Sequence, residues 1–239
     1  MAFQTVFKRY ELKYLLTSEQ KKVVLHAMEP HMQPDRYGHT TIRNVYFDTN
    51  DYRLVRRSIE KPTYKEKLRL RSYVQATPES VVFAELKKKY KHVVYKRRLS
   101  MTEQTATAWL CGKTEQPLQT QIACEIDYFL RFYGTLHPTV FLSYEREAYY
   151  TYADDGFRVT FDENILCRNH DLSLCSEIYG SSLLPQDKVL MEIKCSGGIP
   201  LWMTRVLTRE HIYKTSFSKY GTAYQTMLFP KIQGGIFHA

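Results

Sequence analysis

The sequence predicts an α+β protein, an eight-stranded antiparallel β-barrel with helices packed outside it. Three observations lead there. Eight segments between residues 5 and 195 place β-branched and aromatic residues at alternate positions, the mark of strands with one apolar and one polar face. Four other stretches carry their apolar residues at helical spacing. The polar faces of several strands are strongly cationic, and a sheet that closes on itself can turn such faces inward while its apolar faces receive the helices.

Strands are predicted at 5–14, 41–49, 64–75, 81–91, 93–100, 139–149, 156–163 and 188–195, and helices from Ser18 to Met32, Thr102 to Leu110, Gln119 to Tyr133 and Leu201 onward. In the third helix Ile122, Ile126, Phe129 and Tyr133 recur at spacings of four, three and four, so one stripe faces the sheet. Ser18 and Pro200 stand where a cap and a first-turn proline belong. Ser216 is the expected cap of a last helix with Phe217, Tyr220, Tyr224 and Leu228 on one side. One domain is expected over 1–232, followed by a flexible tail at 233–239.

Composition bounds the function. Hydrophobic residues make up 44% and charged residues 25% of 239, ordinary values for a packed globular domain. No apolar run approaches the roughly 20 residues of a membrane helix and the first ten residues carry no signal-peptide core, so no membrane segment and a cytoplasmic location are expected. The cysteines Cys111, Cys124, Cys167, Cys175 and Cys195 include no C-x-x-C pair and read as reduced thiols. Lys and Arg (34) outnumber Asp and Glu (25), for a net charge of +9 that points to an anionic partner.

The informative feature is which strand face holds the charge. Lys67, Arg69 and Arg71 oppose Leu68 and Leu70; Glu85, Lys87 and Lys89 oppose Ala84 and Leu86. Arg9, Glu11 and Lys13 share a phase, as do Arg158, Thr160 and Asp162, and as do Glu192 and Lys194. One such strand could simply face water. Five together favour a polar interior, and confining so many cations there calls for water and an anion of high charge density. A phosphate chain meets that demand. The acids among the bases, Glu11, Glu85, Asp162 and Glu192, do not bind phosphate directly but suit a hard divalent ion, Mg²⁺ or Mn²⁺, held jointly with phosphate oxygens. Glu192 stands out because its strand is otherwise apolar.

Other signals are weaker. Gly112-Lys113-Thr114 looks like the end of a phosphate-binding glycine loop, but Thr107 occupies the position of the required glycine. No H-E-x-x-H and no G-x-S-x-G occurs. The 19 tyrosines and the positive charge would suit a polyanion- or nucleic-acid-binding module. Bases and aromatics fall largely on opposite strand faces, however, and no nucleic acid is expected.

In this order, RYELKYLL, IRNVYFDT, KLRLRSY, FAELKKKY, SYEREAYY, RVTFDENI, MEIKCSGGIP and SFSKYGTAY resemble the VTC-type polyphosphate polymerase domain of the triphosphate tunnel metalloenzymes (the CYTH-like superfamily). The resemblance spans nearly the whole chain. It implies a tunnel in which the γ-phosphate of ATP joins a growing polyphosphate chain or a pyrophosphate primer, with Mn²⁺ or Mg²⁺. Carried over by motif, it implies Lys13, Arg69, Arg71, Lys87, Lys96, Arg146, Arg158, Ser218 and Lys219 as phosphate contacts and Glu192 as metal ligand, with Glu11 the acid of a Glu-x-Lys pair. Lys89 and Lys194 join the phosphate contacts through their strand faces. Arg9 replaces the first acid of the superfamily's Glu-x-Glu-x-Lys signature, which disfavours a simple tripolyphosphatase, and Ser216 stands where a base is expected. Hydrolysis of triphosphates and cyclisation of ATP are the alternatives on the same fold. If Ser216 caps the last helix, Lys219 lies in its first turn with little packing role, and Lys219→Ala should lower turnover about tenfold at nearly constant melting temperature.

Overall fold

The computed structural model describes residues 10–91, 93–153 and 156–229. Arg9, the start of the first predicted strand and the predicted tail at 233–239 lie outside the described residues. Eight long strands form where alternation predicts them: β1 (Tyr10–Thr17), β3 (Thr40–Asp48), β4 (Tyr64–Ser72), β5 (Val81–Tyr90), β6 (Val93–Thr102), β7 (His137–Thr151), β8 (Arg158–Arg168) and β10 (Lys188–Cys195). Three short strands join them: β2 (Met32–Pro34), β9 (Ser181–Ser182) and β11 (Lys214–Thr215). Six helices complete the order: α1 (Ser18–Met28), α2 (Arg53–Ile59), α3 (Glu103–Leu110), α4 (Gln121–Tyr133), α5 (Leu201–Arg209) and α6 (Lys219–Ala223), the last running into a wide π turn at Tyr224–Leu228.

All eleven strands belong to one antiparallel sheet, in the order β11-β1-β10-β8-β7-β3-β4-β5-β6, with β2 on β7 and β9 on β8. The α+β class holds. Closure of the barrel by hydrogen bonds is not confirmed, because the ladder ends at β11 and β6 and no pairing joins those edges among the described residues. The sheet nevertheless curls until side chains bridge the gap. Lys87 on β5 reaches Glu11 on β1 at 2.9 Å, and Lys13 donates to the carbonyl of Phe217 at 2.9 Å.

The apolar faces are covered as patterning requires. Leu68, Leu70, Ala84 and Leu86 pack with Ala106, Trp109 and Leu110 of α3 and with Ala123, Ile126 and Phe129 of α4. Across the molecule Tyr14, Leu16, Met191 and Ile193 pack with Val24 and Met28 of α1 and with Met203, Val206 and Leu207 of α5. Thr17 caps α1 with a complete capping box in which it and Gln20 exchange bonds, one residue earlier than the expected Ser18.

Two elements depart from expectation. Helix α2 carries no clear helical stripe in seven residues. It forms because the buried Asp48 carboxylate accepts from the amides of Leu54 (2.8 Å) and Val55 (2.9 Å), supplying from outside the helix the partners that its first turn lacks. The last helix does not join the outer layer. Tyr220, Ala223, Tyr224 and Leu228 pack with Ile42, Tyr46, Val140, Leu142 and Leu190, residues in phase with the polar or charged positions Asn44, Arg146 and Glu192, so α6 plugs one end of the curled sheet from within. The tyrosine face of α6 covers that end of the interior. Its cap is Ser218, which accepts from the Gly221 amide, rather than Ser216.

Tyr220 fixes the plug: its hydroxyl donates to Asp48 Oδ2 at 2.8 Å and lies 3.0 Å from Thr139 Oγ1, and its ring stacks on Tyr46. Tyr220→Phe leaves a buried carboxylate one donor short. It should cost about 1–3 kcal/mol of unfolding free energy by urea titration.

Candidate active site

Inside the curl lies a cavity of about 510 Å³ lined by β1, β3, β4, β5, β6, β7, β10 and the start of α6. Of the residues singled out in the sequence, Glu11, Lys13, Arg69, Arg71, Lys87, Lys96, Arg146, Glu192, Lys194, Ser218 and Lys219 all line it. Arg158 and Lys89 do not. Arg158 shares the inward phase of Thr160 and Asp162, but at the strand end its guanidinium turns to Asp35, 3.1 Å away. Lys89, in register with Lys65, sits on β5 beyond the cavity's end.

Register explains how the charges meet. Arg69 stands opposite Glu85 and Glu85 opposite Arg98; Arg146 stands opposite Asp162, and Lys13 opposite Glu192. Each cross-strand pair of opposite charge is a favourable sheet contact. Three carboxylates gather most of the cations. Glu85, 1% exposed, accepts from Arg69 Nε at 3.0 Å and Nη2 at 2.7 Å and from Arg98 Nε at 2.7 Å, and lies 2.7 Å from Lys96 and 3.8 Å from Arg71. Asp162, fully buried, receives a fork from Arg146 at 2.5 and 2.7 Å and a short contact from Lys219. Glu192 faces Lys13 at 3.2 Å, Arg146 at 3.6 Å, Lys219 at 3.7 Å and Lys194 at 3.8 Å.

These surroundings set the protonation states. Lys87 draws Glu11 down to about 2, against burial and the repulsion of Glu192. Burial acts to raise Glu85 and Glu192, but the surrounding cations outweigh it and hold both well below the usual carboxylate range. Burial lowers Lys96 to about 7 although Glu85 opposes it, and Lys194 to about 8 although Glu192 opposes it. Among the cavity acids, Glu11 and Glu192 have the chemistry a hard divalent ion takes: both are ionised, and they lie near enough to repel each other. Phosphate oxygens and water would complete such a shell. The one group of three metal-type ligands among the described residues, His39, Glu147 and Glu163, lies outside the cavity, where the Lys21 ammonium bridges both glutamates.

Several lining residues escape the sequence reading. Tyr46 and Tyr144 read as apolar strand positions, yet their hydroxyls accept from Arg69 Nη1 at 2.9 Å and Arg71 Nη2 at 3.0 Å and hold the two guanidiniums in place. Arg98 carries a signal that could have found it, since it shares a strand face with Lys96. Lys67 shares the face of Arg69 and Arg71 but is not among the residues the resemblance implies. Lys219 is corrected: it is buried against Asp162 rather than exposed at a mouth, so its removal leaves a buried carboxylate undercompensated and must also lower stability.

A curled antiparallel sheet around a cation-lined cavity, plugged at one end, is a tunnel-like fold whose interior suits an anion. The chain belongs to the VTC domain family, which matches residues 8–228. Among solved structures it is similar to a candidate adenylate cyclase from Bacillus halodurans, with 16% identity, a TM-score of 0.55, and 90% of this chain and 96% of that one covered. It is also similar to a candidate adenylyl cyclase from Hippeastrum with a dominant triphosphatase activity, at 15% identity, a TM-score of 0.52 and coverage of 91% and 95%. No curated protein matches it by sequence. No helix among the described residues is long and apolar enough to cross a membrane.

Glu85 is the charge on which four cations rest. Glu85→Gln should destabilise the fold by about 3–5 kcal/mol, and millimolar tripolyphosphate should restore much of the lost melting temperature by replacing the missing charge. The sign with pH follows from the same residue. Its folded pKa lies below the unfolded value, so its stabilisation is complete above about pH 5 and is lost as pH falls toward the folded value. The melting temperature of the parent should fall steeply below about pH 4, and that of Glu85→Gln less so, in a calorimetric pH series.

Proposed function

We propose that this enzyme is an ATP-dependent polyphosphate polymerase that transfers the γ-phosphate of ATP to a polyphosphate or pyrophosphate acceptor. One observation carries the reading: all four acids around the cavity, Glu11, Glu85, Asp162 and Glu192, are engaged by lysine or arginine and held ionised. Hydrolysis needs a base free to take a proton from water. A phosphate acceptor is already ionised at neutral pH and needs none, so an interior whose carboxylates are all engaged by cations suits transfer between phosphates.

The residues divide the work by geometry. Arg69 and Arg71, braced by the tyrosine hydroxyls and Glu85, present planar forks that can span two phosphate oxygens, while Lys13, Lys87 and Lys96 supply point charges along the chain. Arg146 is fixed by both oxygens of Asp162 and by Glu192, and its pre-set orientation avoids reorganisation as charge moves in the transferring group. Ser218 and Lys219 stand at the plugged end, and there the acceptor or donor terminus would stop. A divalent ion, Mn²⁺ or Mg²⁺, would be held by Glu192 and Glu11 and would neutralise phosphate oxygens. Arg158 and Lys89, outside the cavity, are left to steer polyanions toward it.

Hydrolysis of triphosphate is the second reading, favoured by the triphosphatase activity of the Hippeastrum protein on the same fold. Incubation with ATP and Mn²⁺ separates the two: the proposal expects long polyphosphate and ADP on a gel, and free phosphate or cyclic AMP as the main product would overturn it. Glu192→Gln should abolish the metal-dependent part of turnover. Because that substitution also removes the counter-charge of four cations, melting should be followed alongside activity.

A further inference from the structure

The cavity's charges fall into rows across the sheet, and the rows differ. Arg69, Glu85 and Arg98 stand in register as plus, minus, plus. One step along the same strand faces, Lys67 stands opposite Lys87 and Lys87 opposite Lys96, three like charges side by side. Directly opposed like charges destabilise a sheet, so a row of this kind is retained at a cost to folding. Two of its members have relief: Lys87 has Glu11 at 2.9 Å, and Lys96 has Glu85 at 2.7 Å. Lys67 has none. Its ammonium donates to Ser218 Oγ at 2.9 Å and lies 6.0 Å from the centre of the Tyr220 ring, and among the described residues it has no carboxylate partner. Every other lysine or arginine lining the cavity forms an ion pair with an acid.

This asymmetry matters energetically. An anion that binds at Arg69 or Lys96 competes with a carboxylate already in place, and the gain is the difference between two attractions. An anion that binds at Lys67 displaces nothing charged. We propose that Lys67 is the docking point of the cavity, where a phosphoryl group of the bound chain makes its one contact unopposed by a protein carboxylate, and that docking draws a proton from solvent onto the Lys67 amine. The inference rests on the cavity being a phosphate-chain site and adds how that site recognises charge.

The groups facing Lys67 account for the proton. Lys13 on β1, Lys87 on β5 and Lys65 and Arg69 on its own strand surround it with positive charge, while α6 offers a neutral hydroxyl and a ring. Burial first, and then these cations, lower its pKa to about 7. A phosphate oxyanion beside the amine reverses the balance and favours the ammonium. Affinity for a phosphate chain therefore falls as pH rises through the lowered value, and binding above it takes up a proton. The contact also reaches Ser218, the cap of the plug helix, so the docked group lies against the stopper of the cavity.

The test is titration calorimetry of inorganic tripolyphosphate into the full chain, without divalent metal, at about pH 8 in two buffers of different ionisation enthalpy. The parent should take up as much as about one proton more than Lys67→Arg, whose guanidinium stays charged throughout, and more than Lys67→Met, which has no group to titrate. Comparing variants at one pH cancels the protonation of the ligand, of Lys96 and of Lys194. Lys67→Met should bind at least about tenfold more weakly, and Lys67→Arg should show a shallower fall in affinity between about pH 6.5 and 8.5 than the parent, because Lys96 and Lys194 still titrate there. Neither variant removes an ion pair, so neither should lower the melting temperature, which verifies folding of both. Equal proton uptake in all three proteins would overturn the role of Lys67 alone. Failure of the parent to bind tripolyphosphate at all would overturn the reading of the cavity as well.

Discussion

Charge compensation in a confined space governs this molecule. A lysine or arginine removed from water without a counter-charge costs several kcal/mol, and the cavity holds ten of them: Lys13, Lys67, Arg69, Arg71, Lys87, Lys96, Arg98, Arg146, Lys194 and Lys219. Four acids on the cavity's strands, Glu11, Glu85, Asp162 and Glu192, share the task of balancing them. Because the acids are outnumbered, the interior keeps a surplus of positive charge. That surplus favours an anionic ligand, and it is also a standing destabilisation that the apolar outer layers must offset. Stability and function therefore draw on the same residues in opposite directions.

The sheet is shaped by that demand. A fully paired barrel would fix the spacing between β1 and β5, whereas here side chains and the segment ahead of α6 span the opening: Lys87 with Glu11, Lys67 with Ser218, Lys13 with the Phe217 carbonyl. These are bonds made by flexible lysine side chains. They can shift without breaking a backbone ladder. Beside that opening the wall is held more firmly, since Tyr220, Asp48, Thr139 and the first turn of α2 form a connected set of buried hydrogen bonds.

How much of this could be read from sequence depends on period. Alternation placed the eight long strands within a few residues of where they lie, because each strand has one face against helices and one against a polar cavity. The same alternation placed Arg69, Arg71, Lys87, Lys194 and Glu192 on the interior. It failed where phase and position separate: Arg158 has the inward phase but sits at a strand end beside Asp35, and Lys89 extends past the cavity. Tyr46 and Tyr144 were illegible for a different reason. Tyrosine counts as apolar in any pattern, and only the third dimension shows that its hydroxyl supports a guanidinium. Helix α2 was hidden because its first turn is satisfied by Asp48 rather than by its own sequence. The plug was misplaced because an apolar helical face says that it is covered, not by which side of a sheet.

The first strand pairs with β10 and β11, and Lys13 reaches a carbonyl 204 residues further along the chain. A chain made from its N-terminus cannot complete this arrangement until residues 214–217 have left the ribosome. Until then β1 lacks both of its partners, and the cationic faces of β4, β5 and β6 lie open beside an RNA-rich surface. Non-local closure of this kind is slow as well. The topology that encloses the cavity thus gives the newborn chain an interval in which it resembles a nucleic-acid-binding protein, and arrival of the C-terminal segment ends that interval.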